Sequence, residues 1–227
     1  MIAALRYAAL GYLVGAVSLP QIAAWYYRSD LRRSGTGTVG ASNLSAVAPP
    51  PVVAAVGTAQ ILQGALPPWL ARRAGQPGGV QALAGLAGVV GQDWNVCFGL
   101  RGGRGLTHSI GVLLALAPET LPSLAALGVA GLASGQVPLG MLAGFATAPL
   151  IAASAGQPQA VVAATAGLVA IAVAKRLEAN GEPLPADQPR AVTLLRRLLF
   201  DRDRPGRGAW IERGGNRLGL SSARGPL

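Results

Sequence analysis

Apolar residues in this chain come in long unbroken runs. They show neither the alternation of a half-buried strand nor the single stripe of a soluble helix. Runs of roughly 17–25 residues match the thickness of a hydrocarbon core. They predict helices at about Ile2–Tyr27, Ala46–Leu66, Val80–Phe98, Val137–Ala155 and Pro158–Ala174. Two more apolar stretches, Leu106–Ala117 and Leu121–Leu132, are short and are split by Pro118-Glu119-Thr120. They read either as two thin helices or as a re-entrant pair packed against protein. The pattern predicts an all-α polytopic transmembrane helix bundle of about seven spans, with five as the fallback. Pro49, Pro50 and Pro51 predict an extended or kinked start to the second helix.

Polar segments punctuate the runs. Arg28–Ser45 and Gly99–Gly105 are glycine-rich loops, and Ala71–Gly79 is a short connection. No convincing cleavage site follows the first run, which therefore reads as a retained helix. From Lys175 onward the character changes. Lys175–Leu227 holds eleven of the nineteen basic and six of the nine acidic residues. The division is a transmembrane unit at 1–175 and a soluble, basic tail at 176–227. Within the tail, Pro189–Phe200 fits a short amphipathic helix, with Val192, Leu195, Leu198 and Leu199 apolar and Arg196 and Arg197 polar. An unstructured arginine-rich tail fits as well.

Composition agrees. Hydrophobic residues make up 51% of the chain and charged residues only 12%, against about 25% charged in an ordinary soluble domain. The net charge of +10 lies in loops between apolar runs. That placement suits lipid headgroups or phosphorylated substrates rather than nucleic acid. Arg28, Arg32 and Arg33, then Arg101 and Arg104, then the tail fall on one face if seven helices alternate. By the positive-inside bias that face is cytoplasmic and the N-terminus is outside, although Arg6, Arg72 and Arg73 run against the rule. The expected location is the cell membrane. One cysteine, Cys97, excludes an internal disulfide.

Two loops carry candidate chemistry. The first runs Asp30-Leu31-Arg32-Arg33-Ser34-Gly35-Thr36-Gly37-Thr38-Val39-Gly40-Ala41-Ser42-Asn43. Its glycines leave backbone N–H groups open to an anion. Thr36, Thr38, Ser42 and Asn43 add donors, and Arg32 adds charge. The second, Arg101-Gly102-Gly103-Arg104-Gly105, frames a glycine pair with two arginines, a compact phosphate-binding pattern. Either loop alone is equally a tight turn with topology-setting arginines. Two on one face can converge on one ligand. His108 is open to a proton-transfer or an interfacial role. Asp93 suits a functional intramembrane acid or a partner for Arg101 or Arg104. Trp25, Trp69 and Trp94 fit an interfacial belt.

These motifs, in this order, resemble the bacterial acyl-phosphate:glycerol-3-phosphate acyltransferases, the PlsY family. The family's Gly-Ser-Ile-Pro corresponds to Val17-Ser18-Leu19-Pro20. Its arginine and Gly-Ser-Gly-Asn-x-Gly-Ala-Thr-Asn correspond to Arg32 and Gly35–Asn43. Its Asp-x-x-Lys-Gly corresponds to Gln60-Ile61-Leu62-Gln63-Gly64, ahead of Leu66-Pro67. Its Gly-His-x-x-Pro, five residues, then Lys-Gly-Gly-Lys-Gly corresponds to Gly91–Asn95, Val96–Leu100 and Arg101–Gly105. The departures are Thr36 for Ser, Thr38 for Asn, Gln92 for His, Gln60 and Gln63 for Asp and Lys, and two arginines for lysines. If Arg176-Leu177 is the family's late Arg-Leu pair, the preceding Val169–Ala174 lacks its His-x-x-Asn.

The resemblance implies transfer of a fatty acyl group from acyl phosphate to glycerol 3-phosphate, giving lysophosphatidate, by a monomer needing no metal or organic cofactor. It implies Thr36, Arg104 and Gln92 as catalytic residues. Phosphate binding would fall to Arg32, Gly35, Gly37, Thr38, Gly40, Ser42, Asn43, Arg101, Gly102, Gly103 and Gly105. A non-catalytic relative that binds lipid or phosphate is the alternative. An unrelated transporter lacks support, since the chain shows no repeated halves.

Overall fold

The computed structural model describes residues 1–203. Among them every regular element is helical. The order is α1 (Ile2–Ala16), α2 (Leu19–Tyr26), α3 (Ala41–Leu44), α4 (Pro50–Arg73), α5 (Gly78–Asp93), α6 (Leu106–Leu116), α7 (Leu121–Ala133), α8 (Val137–Ser154), α9 (Gln159–Glu178) and α10 (Arg190–Phe200). If α1 and α2 are counted together, seven helical segments of eleven residues or more lie between Ile2 and Glu178 among the described residues. Three helical stretches, Ile2–Tyr26, Val137–Ser154 and Gln159–Gly181, are long and apolar enough to cross a membrane unaided. The helices α6 and α7 have 11 and 13 residues, roughly 17–20 Å at about 1.5 Å per residue. Each lies along a longer partner, α6 on α4 and α7 on α8. They are two separate short helices joined by a 3-10 turn at Pro118–Thr120.

Helix ends differ from the sequence expectation where proline and capping chemistry intervene. The second helix starts at Pro50, with Pro49 extended ahead of it, and runs on to Arg73. Pro67 and Pro68 lie inside it, as membrane helices tolerate. Arg72 and Arg73 are therefore helical, not loop, residues. The third helix stops at Asp93, and Val96–Phe98 forms a 3-10 turn instead. The expected single first helix is broken at Val17-Ser18. The Ser18 side chain accepts a hydrogen bond from the Gln21 backbone and Pro20 lies in the first turn of α2, so the sequence caps a new helix there.

A break inside an apolar bundle frees backbone carbonyls that no water can satisfy. Side chains from other helices take them up. Gln63 on α4 donates Nε2 to Val14 O at 2.6 Å and to Val17 O at 2.8 Å. Asn95 Nδ2 donates to Ala16 O at 2.7 Å. Close helix contact makes this reach possible. Gly15 of α1 faces the Gly88 carbonyl of α5, and Gly111 of α6 faces the Ile61 carbonyl of α4, where any side chain would collide with backbone. Larger residues, including Val89, Val112, Leu113, Phe145 and Leu168, fill the core between α5, α6, α8 and α9.

The expected amphipathic helix is α10, but Arg197 is not on its polar face. It is buried and bound by Asp203, Leu177 O and Glu182 O. The boundary drawn at 175 falls inside α9, whose Lys175 and Arg176 are both buried. The part of the tail from 204 on lies outside the described residues. Replacing Gln63 with Leu should remove the side-chain donor from Val17 O and leave Val14 O with Val17 N at 3.3 Å alone, at a cost of about 1–3 kcal/mol. Thermal unfolding in detergent would register this as a lower Tm.

Candidate active site

The first loop is built around one amide. Asn43 donates Nδ2 to Leu31 O, Ser34 O and Thr38 O, each at 2.9 Å, and its Oδ1 accepts from Thr36 N at 2.9 Å. Gly35 has φ +52 and lies directly against Asn43 Oδ1, so only a residue without a side chain fits this turn. The result is a loop that holds the Thr36 and Thr38 hydroxyls 2.8 Å apart. Beneath it Leu31, Val39 and Leu44 are buried with Ala24.

The second loop is stitched to the first and to the end of α5. Gly102 N donates to Asp93 O at 3.0 Å, Gly103 N to Gln92 O at 3.1 Å, and Val39 N to Gly102 O at 3.4 Å. A Cβ on Gly102 would strike Gln92 O and Asp93 O. The third contributor is the chain after α9. Arg104 donates Nη1 to Lys175 O at 2.9 Å and pairs through Nη2 with Asp201 at 3.1 Å. Asn180 Nδ2 reaches Gly102 O at 3.3 Å.

These segments enclose two cavities at one end of the bundle, of about 470 and 430 Å³. Arg32, Arg33, Gly35, Gly37, Arg101, Arg197 and Asn180 line the first. Gly40, Ser42, Asn43, Gln60, Gln92, Gly105, His108 and Arg176 line the second. Gly35, Thr36, Thr38, Arg104, Asp201 and Arg202 line both. The first cavity has six arginines against three carboxylates on its wall, which makes it an anion site. Leu106, Val137, Pro138 and Phe200 give the second an apolar side.

Most residues expected in the site therefore meet there. Gly102 and Gly103 do not line either cavity; their role is in fastening the loops together. Arg32 lies beside the first cavity but is engaged, with Nη2 2.6 Å from Asp30 and its guanidinium 5.4 Å above Phe98. The Arg32 hydrogen bond holds the Asp30 carboxyl below its usual range. Asp93 faces the charges of Lys175 and Arg104 rather than Arg101. Lys175 Nζ sits 4.7 Å over the Trp94 ring, so Trp94 is part of this charged seam and not only of an interfacial belt. His108 is buried on the wall of the second cavity, and neither ring nitrogen has a hydrogen-bond partner among the described residues.

Sequence reasoning missed Asn180, Asp201 and Arg202. They lie beyond the apolar runs, with no glycine-rich motif to mark them. The Arg176-Leu177 pair was the signal nearest to Asn180. Burial pushes the Asp201 carboxyl up, while Arg104 and Arg176 pull it back.

A helical bundle with a cationic, hydroxyl-lined double cavity at one end of its apolar body defines an integral membrane protein that handles phosphorylated substrates. A family model described as glycerol-3-phosphate acyltransferase matches residues 5–184, and the chain belongs to that family. Glycerol-3-phosphate acyltransferase 4 of Dehalococcoides mccartyi (strain CBDB1) is 32% identical, over 89% of this chain and 90% of the relative. The Myxococcus xanthus (strain DK1622) glycerol-3-phosphate acyltransferase is 37% identical over 142 residues, 61% of this chain and 74% of the relative. A crystal structure of PlsY, an integral membrane glycerol 3-phosphate acyltransferase, in its glycerol 3-phosphate form superposes with a TM-score of 0.71 at 28% identity, covering 77% of this chain and 88% of that one. The chain is thus a membrane glycerol-3-phosphate acyltransferase.

Asn43→Ala should release the first loop from three carbonyls at once and misplace both threonine hydroxyls. Acyltransferase turnover should fall on the order of a hundredfold, and limited proteolysis should show new cleavage between residues 33 and 41 while the helices stay intact.

Proposed function

We propose that the acyl donor is acyl phosphate, that its phosphate and that of glycerol 3-phosphate occupy the two cavities, and that the product is lysophosphatidate. The observation that carries this reading is the position of Arg104, whose guanidinium borders both cavities. A reaction that joins two phosphorylated molecules brings two anions close together. A shared cation offsets their repulsion, and the Arg fork suits phosphate geometry.

In this mechanism the acceptor hydroxyl attacks the acyl carbonyl. The new C–O bond forms as the bond to phosphate breaks, and the proton lost by the hydroxyl leaves with the released phosphate. Acyl phosphate is already activated, so the protein contributes positioning and charge stabilisation. Arg104, Arg101 and Arg32 neutralise the phosphates. The Thr36 hydroxyl, held by Thr38, and Gln92 orient the reacting carbonyl and hydroxyl. Gln92 suits this because Nε2 reaches Val39 O at 3.3 Å while its buried Oε1 has no partner among the described residues. The apolar side of the second cavity suits the start of a fatty acyl chain.

We also propose that all seven helical segments cross the cell membrane, that the site and the segment 176–227 are cytoplasmic with the N-terminus outside, and that the enzyme acts as a monomer. The positive charge gathered at the site end supports that orientation.

Purified protein given labelled glycerol 3-phosphate should make lysophosphatidate from acyl phosphate and not from an acyl thioester; the reverse preference would refute the donor assignment. Arg104→Ala should lower kcat/KM by about 10²–10³. The orientation has its own probe in Cys97, which is exposed at the site end. A membrane-impermeant maleimide should label it in inverted vesicles and not in intact cells.

A further inference from the structure

The match to the family model stops at residue 184, yet one wall of the site comes from beyond it. Asp201 and Arg202 border both cavities, and Phe200 borders the second. This wall is firmly mounted. Buried Arg197 on α10 grips Asp203 through Nε at 2.7 Å and Nη2 at 3.1 Å. The same guanidinium donates to Leu177 O at 3.2 Å and Glu182 O at 2.9 Å. From the other side, Arg176 of α9 donates to Leu198 O at 2.8 Å. Between these anchors Asp201 takes φ +52, a left-handed turn that Asp adopts more readily than most residues. The turn ends α10 and directs the carboxylate onto Arg104.

Arg104 is then fixed at both terminal nitrogens, Nη1 by Lys175 O at 2.9 Å and Nη2 by Asp201 at 3.1 Å. A guanidinium is planar and offers five N–H donors in a rigid fork. A carbonyl at one terminal nitrogen and a carboxylate in ion-pair contact with the other fix the plane and leave the remaining donors for a ligand. The Arg104 Nε is buried with no partner among the described residues. Without Asp201 the remaining anchor of this long side chain among the described residues is a single backbone carbonyl.

We propose that Asp201 is a positioning residue for phosphate binding, an element beyond the residues that the family model matches, and that it holds the Arg104 fork toward both cavities. It acts through Arg104, so the proposal rests on Arg104 being the phosphate clamp. The opposite effect is physically conceivable for a carboxylate beside an anion site. If Asp201 merely competed with phosphate for Arg104, removing it would tighten binding. The two cases differ in sign.

The test measures affinity for glycerol 3-phosphate by calorimetry on the full-length protein in detergent, with Tm as the control for folding. Asp201→Gly removes the side chain without straining the positive φ, and should weaken binding about tenfold, in line with loss of an ion pair at this depth. Asp201→Asn keeps an acceptor oxygen for Nη2 and should stay within about threefold of wild type. In an Arg104→Ala background Asp201→Gly should have no further effect, the signature of two residues acting through one contact. Should glycine lower Tm, Asp201→Ser, which is too short to reach Arg104, replaces it. Unchanged or tighter binding in the Asp201 variant, with binding lost in Arg104→Ala, overturns the positioning role alone. Full affinity in Arg104→Ala overturns the clamp reading beneath it.

Discussion

A guanidinium beneath the end of an apolar bundle needs partners for its charge, and the arrangement around Arg104 follows from that requirement. Its charge is only partly exposed, with Lys175 O and Asp201 holding it. Isolated, such a charge would cost far more than any nearby packing contact returns. The surrounding chain therefore converges on it. The second loop carries Arg104, the end of α9 offers a carbonyl, and the segment after α10 offers a carboxylate. The hydroxyl-bearing first loop is hydrogen-bonded to the second through Val39 and Gly102. A site that stabilises one half-buried cation in this way is already organised to receive anions.

The same accounting governs the helices. The break between α1 and α2 turns the chain toward the site, and it persists because Gln63 and Asn95 take up the carbonyls it exposes. Gln63 stands where the resembling family has lysine, and the exchange makes sense here. An amide that donates to two carbonyls satisfies a broken helix without a buried counter-ion. Gln60, where the family has Asp, loses its charge at the same time. It lies buried on the wall of the second cavity. Glycines at the α1–α5 and α4–α6 contacts bring the helices close enough for these short polar side chains to span the gap.

Much of this was legible in the sequence. Long apolar runs give the bundle, because only a bilayer can solvate them. The two glycine-rich loops mark the cationic end with the two cavities, because Arg32, Arg101 and Arg104 lie within or beside them. Pro49, Pro50 and Pro51 mark the extended entry to α4, whereas the start of α2 at Ser18 was not read from the sequence. Asp201, Arg202 and Asn180 were not legible. Each reaches the site by the folding back of a charged tail onto α8 and α9, an outcome decided by Arg197 and Arg176 finding carbonyls several turns away. Arg197 looked like a solvated face of an amphipathic helix, because periodicity reports exposure to an average environment and not a specific pocket. Likewise Asn43 read as a ligand-facing amide, whereas its bonds go to the loop that carries the threonines.

The central claim is that one guanidinium serves both cavities. The most direct test is a crystal structure of the protein with glycerol 3-phosphate and a non-transferable acyl phosphate analogue bound together. The expected result is Arg104 within hydrogen-bond distance of both phosphates, with its Nη2 still on Asp201. A structure with either phosphate bound away from Arg104, or with Arg104 turned out of the site, would contradict it.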